Sequence, residues 1–127
     1  MSRVVLDASV ILAVLGQEPG SKAILRLLDH TVASTVNLAE VQGKLVSRGV
    51  PEDDAWEGAR SLVAEVVDFD SDQARLVGML VPQTQALGLS MGDRACLALA
   101  LLLKVPVYTT DRVWKSLQLG VKVHVVR

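Results

Sequence analysis

Asp7 ends the apolar run Val4-Val5-Leu6, and Asp111 ends Val107-Tyr108-Thr109-Thr110. Each carboxylate stands where a β-branched run gives way to a helix-forming stretch. In open α/β sheets, ligand-binding groups gather beyond the carboxyl ends of the strands. Either aspartate alone also reads as a helix N-cap, but two at the same address favour a shared site. Asp93 follows Ser90 at the spacing of a capping box. Beside it, Gly92 is a poor helix former and leaves room for another group to approach. Glu40 shares a polar helix stripe with Asn37, Lys44, Ser47 and Arg48, opposite Leu38, Val41 and Leu45. From spacing alone Glu40 reads as a solvated residue paired with Lys44 at i,i+4.

If these acids converge, they repel one another and raise one another's pKa unless cations neutralise them. Oxygen-only ligands select hard cations, Mg²⁺ or Mn²⁺, over Zn²⁺. One such ion or a pair can activate water and stabilise a leaving oxygen in phosphodiester hydrolysis. No other chemistry has its residues in place. His30 ends a helix and His124 lies in the last strand, both away from the acids. There is no nucleophile elbow, Walker-type glycine loop or Cys/His zinc spacing.

The elements that must position these side chains alternate along the chain. Strands are expected over residues 4–6, 31–34, 66–69, 105–109 and 121–126. Helices are expected over 10–15, 21–29, from a cap at Thr35 or Asn37 to 47, 51–64, from a cap at Asp70 or Ser71 to 80, 90–104 and 111–117. Residues 81–88 read as a connection. This alternation implies α/β architecture, a parallel sheet with helices on both faces. A length of 127 residues suits one domain, residues 1–127, with no linker or repeat. Half the residues are hydrophobic but only 3% are aromatic, so Leu, Val, Ile and Ala build the core. A net charge of −1 excludes a protein that coats nucleic acid through bulk charge. Cys96, alone in an apolar helix, reads as a small buried hydrophobe in a reducing compartment. No signal peptide is visible, and the longest apolar run, 95–103, is short of the ~20 residues that span a bilayer. A soluble, cytoplasmic protein without a membrane partner is expected.

With these residues in place, the chain resembles the PIN-domain family, in particular the VapC-type toxin ribonucleases of type II toxin–antitoxin systems. The matching motifs are Val4-Val5-Leu6-Asp7-Ala8-Ser9, Ser34-Thr35-Val36-Asn37-Leu38-Ala39-Glu40, the stretch from Gly88 through Ser90, Gly92, Asp93 and Arg94 to Ala100, and Tyr108-Thr109-Thr110-Asp111. They span nearly the whole chain in the family's order. The resemblance implies a PIN-like α/β/α sandwich of about five parallel strands in the order 3-2-1-4-5. It makes Asp7, Glu40, Asp93 and Asp111 an acidic quartet around Mg²⁺, for which Mn²⁺ could substitute. Asp7 and Asp93 are then the foremost metal ligands, with Glu40 and Asp111 completing the site directly or through water. Ser9, Asn37 and Thr110 match supporting polar positions. Endonucleolytic RNA cleavage, a cognate VapB-type antitoxin and a homodimer are implied as well, and the bland reading of Glu40 is overturned.

Lys44, Arg48, Arg94 and Arg112 could meet RNA phosphates, although such residues more often form a solvated face. Trp56 and Trp114 read as core or interface packing rather than base-stacking platforms. Three competing functions stay in view. A PIN nuclease could serve general RNA processing. A phospho-accepting receiver domain needs paired acids after the first strand, and Asp7 has no acidic neighbour. A non-catalytic interaction module would use the acids only as caps.

Overall fold

Val4–Leu6 (β1) is buried along its whole length and pairs in parallel with a strand on either side. A computed structural model describes residues 2–126. Its other strands are Thr31–Ser34 (β2), Glu65–Val67 (β3), Val107–Thr109 (β4) and Val123–Val125 (β5). They form one parallel sheet in the order β3-β2-β1-β4-β5. The helices are Ala8–Leu15 (α1), Ser21–Leu25 (α2), Thr35–Ser47 (α3), Glu52–Ser61 (α4), Ser71–Met79 (α5), Val81–Thr84 (α6) and Met91–Leu103 (α7).

Strand alternation sends successive side chains to opposite faces, and the two faces have separate cores. Val5, Val32 and Val107 pack with α5, α7 and Trp114. Val4, Leu6 and Ala33 pack with α1, α3 and α4 through Val10, Ile11, Leu38, Val41 and Ala59. Large side chains such as Leu6, Ile11, Leu38 and Leu97 are fully buried, each worth about 1.5–3 kcal/mol of transfer free energy. The expected strand order and helical layers are therefore observed. None of the described helices is long and apolar enough to cross a membrane.

Several boundaries differ from the sequence expectation. The third strand starts at Glu65 and stops at Val67, because Asp68 accepts a hydrogen bond from Gln73 Nε2 on its carbonyl and Phe69 N–H donates to Thr35 Oγ1. The fourth and fifth strands are shorter than expected, with Val105 N–H still closing onto the Ala100 carbonyl at the end of α7. The helix expected over 21–29 breaks at Arg26 and resumes as a 3₁₀ turn, Leu28–His30. The connection over 81–88 is itself helical, α6 followed by a 3₁₀ turn, with Pro82 in the first turn, where its missing N–H costs nothing. The segment after Asp111 is also 3₁₀, Arg112–Ser116. Ser34, rather than Thr35 or Asn37, caps α3 by accepting from Val36 N–H. That leaves the Asn37 side chain available for tertiary contacts.

Candidate active site

Asp7, Ser9, Glu40, Lys44, Asp93 and Asp111 line one cavity of about 190 Å³ at the carboxyl end of the sheet. The acids arrive on four separate segments: the end of β1, the second turn of α3, the first turn of α7 and the end of β4. Three of them are also helix caps. Asp7 Oδ1 accepts from Val10 N–H at 3.0 Å, Asp111 Oδ1 from Val113 N–H at 3.0 Å, and Asp93 Oδ2 from Ser90 N–H at 2.9 Å in a full capping box. The capping and site readings thus hold together. A cap uses one carboxylate oxygen and fixes the rotamer, which leaves the second oxygen uncommitted in Asp93 and Asp111, though not in Asp7. Among the described residues, Asp93 Oδ1 and Asp111 Oδ2 accept no hydrogen bond.

Asp7 is the most constrained acid, at 4% exposure. Its Oδ1 accepts the Ser9 hydroxyl at 2.6 Å and its Oδ2 the Thr109 hydroxyl at 2.6 Å. Those hydroxyls accept in turn from Thr110 N–H at 3.0 Å and Asp111 N–H at 3.1 Å. Two hydroxyl relays thus bolt Asp7 to the turn that carries Asp111. Burial pushes the Asp7 pKa up to about 6; the hydrogen bonds from Ser9, Thr109 and Val10 oppose the rise, and the Asp93 charge adds to it. Cys96, fully buried, has its thiol pushed up by burial and then by the charges of Asp7, Asp93 and Glu40. Three of the acids therefore act electrostatically on one buried point.

Glu40 does not pair with Lys44, although both line the cavity. The salt bridge found among the described residues joins Arg3 and Glu65 at 2.8 Å, and none of the four acids forms one with a described cationic side chain. Glu40 Oε1 instead accepts from Asn37 Nδ2 at 2.8 Å. The room foreseen beside Gly92 is taken by the Glu40 carboxylate, which a Cβ on Gly92 would overlap. The donor set suits a hard divalent cation, being oxygen-only and short of positive charge. Among the described residues no three ligating side chains close around a single point. Such an ion would therefore be held by one or two carboxylates with water completing its shell, as Mg²⁺ ordinarily is.

The remaining sequence candidates separate. Ser9 sits on the cavity wall and donates its hydroxyl to Asp7. Thr110 contributes its backbone N–H, whereas the hydroxyl that reaches Asp7 belongs to Thr109, which sequence reading passed over. Strand parity could have found it: Thr109 alternates with Tyr108, and a buried threonine needs a partner. Arg48 and Arg112 are exposed and lie outside the cavity lining. Arg94 is held by its Nε donating to Thr84 Oγ1 at 2.8 Å. Trp114 is fully buried, while Trp56 is 45% exposed on α4 and is not core.

Residues 4–118 match the PIN domain family. The chain belongs to the PIN domain family. PIN architecture is shared at low identity with several solved structures. DNA-bound VapBC from Salmonella typhimurium is 15% identical with a TM-score of 0.75, covering 100% of this chain and 100% of that one. VapBC2 from Rickettsia felis, bound to a DNA fragment of its promoter, is 18% identical with a TM-score of 0.73, covering 95% and 96%. VapBC-5 from Mycobacterium tuberculosis, a member of the VapBC family of toxin–antitoxin systems, is 22% identical with a TM-score of 0.61, covering 100% and 99%. No curated protein matches the PIN chain significantly in sequence.

Proposed function

We propose that this PIN domain is a Mg²⁺-dependent endoribonuclease, the toxin of a VapBC-type pair, acting as a homodimer and restrained by a VapB-type antitoxin. The observation that carries this reading is one cavity lined by Asp7, Glu40, Asp93 and Asp111, none of which forms a salt bridge among the described residues. Structural likeness to chains from VapBC complexes supports the toxin assignment over general RNA processing.

Asp7 and Asp93 would hold the ion, with Glu40 and Asp111 oriented toward its water shell. When bound, the ion supplies an activated water and charge stabilisation at the leaving oxygen. The protein's part is preorganisation. Ser9 and Thr109 hold the Asp7 carboxylate between two hydroxyls, and the capping box holds Asp93. Lys44, on the cavity wall, would meet an RNA phosphate, with Arg48 and Arg112 as outlying contacts.

Mapping of cleavage ends in total RNA after induced expression tests this reading. Wild type should generate new ends; Asp93→Asn and Asp7→Asn should each lose them while remaining folded. Full activity in either variant would refute it. Co-purification with the product of an adjacent gene encoding a small DNA-binding protein would support the toxin role. The alternative that the acids serve only as caps is favoured by the three caps themselves. It requires that Mn²⁺ calorimetry give no specific binding.

A further inference from the structure

Glu40 is the one acid of the cavity that holds no helix cap. It projects from the second turn of α3, is exposed and forms no ion pair among the described residues. A glutamate in that setting has three side-chain torsions to order, at an entropic cost. Two neighbours remove the freedom. Asn37, 1% exposed, donates from Nδ2 to Glu40 Oε1 at 2.8 Å and to the Gly92 carbonyl at 3.0 Å. Both partners only accept, so the amide orientation follows from chemistry. From the other side, a Cβ on Gly92 would lie 2.5 Å from the Glu40 carboxyl carbon and 2.6 Å from Oε2. Only a hydrogen at that position lets the carboxylate lie against the first turn of α7, one residue from Asp93.

Asn37 is a poor choice for stability alone. Asparagine is a weak helix former, and its buried Oδ1 has no hydrogen-bond partner among the described residues, a desolvation cost that an apolar residue would avoid. What the amide provides is a fixed Glu40.

We infer that Asn37 is a positioning residue that, with Gly92, locks the Glu40 carboxylate in place at the cavity. This rests on the metal-dependent reading above, since a fixed carboxylate matters only to something it helps hold. Partners of this outer kind typically change metal affinity or activity by about 10–100-fold when removed. Asn37→Ala should weaken Mn²⁺ binding, read by calorimetry, by about that factor, and lower kcat for RNA with little change in KM. In a Glu40→Ala background Asn37→Ala should have no further effect on Mn²⁺ affinity. Gly92→Ala should behave in the same way, weakening binding in wild type and silent in Glu40→Ala. It carries the comparison if Asn37→Ala fails to fold, because the three atoms nearest its added Cβ all belong to Glu40.

Unchanged affinity in the folded variants would overturn the inference. So would a loss of the same size in the Glu40→Ala background, which would mean these residues act on the fold at large. Wild-type protein that bound Mn²⁺ in an Asn37-dependent way but cleaved no RNA would leave the positioning role standing and remove the nuclease reading. Wild type that bound no Mn²⁺ would remove both.

Discussion

At the residue scale, Asp7 concentrates the tension between stability and site. A carboxylate almost out of solvent prefers its proton, and Asp7 does so up to about pH 6 against an ordinary value of 3.8. The folded state therefore binds a proton more tightly than the unfolded state. Its contribution to stability is complete below pH 4 and is lost as pH rises through 6, by up to ~3 kcal/mol. Asp7→Asn keeps the cap acceptor for Val10 and removes the charge. In thermal melts with chelator present, the variant should gain on wild type as pH rises from about 4 to 7, while losing cleavage. A difference between the two that did not vary with pH would count against a strained Asp7. The position of Asp7 after a strand was readable from the sequence. Its clasp by Thr109 was legible only through alternation, which puts Thr109 on the face of Val107, a weak signal in an element only three residues long. Glu40 shows the converse limit. Its i,i+4 spacing to Lys44 was visible, but the tertiary partners that win, Asn37 and Gly92, lie on a packing interface with a helix far along the chain.

At the element scale, the turn after β4 shows how a short piece is held without regular helix bonding. Arg112–Ser116 is 3₁₀, its geometry poor in hydrogen bonds, and Asp111 caps it. Trp114 supplies the anchorage, fully buried in the core cluster that also holds Val107 and the buried side chains of α7. Trp114→Ala should cost about 3–5 kcal/mol in denaturant unfolding. Trp114→Phe should cost far less, because the buried indole Nε1 has no partner to lose. Comparable losses for the two would show that the indole N–H is satisfied in solution. Most element positions were legible from their apolar patterning, and α7 from the unbroken apolar run 95–103, which marks a buried helix. Where propensity was weak, tertiary context decided. Residues 81–88 became helical because the Thr84 side chain, fully buried, bonds the Leu80 carbonyl and receives Arg94. Gly49 lies just past the end of α3 at φ +91°, a conformation that favours glycine.

At the scale of the whole molecule, topology does what no local signal could. The parallel strand order places the carboxyl ends of β1 and β4 side by side, and the crossover helices α3 and α7 begin at the same edge. Residues as far apart as Asp7 and Asp111 thereby share a wall. That convergence has a thermodynamic consequence that separates a metal site from a set of caps. Any ion bound by the folded state alone stabilises it by RT ln(1 + [L]/Kd), ~2.7 kcal/mol at a hundredfold excess over Kd. For a chain of this size that is a rise in Tm of roughly 10 °C. Mn²⁺ should therefore raise the melting temperature of wild-type protein at pH 7.5. It should leave Asp7→Asn, the more stable of the two in chelator, almost unmoved, so that the order of stability narrows or reverses as Mn²⁺ is added. Equal shifts in both proteins would mean the ion binds elsewhere. No shift in either would leave the acids as caps, with their like charges borne at a cost that no bound ion relieves.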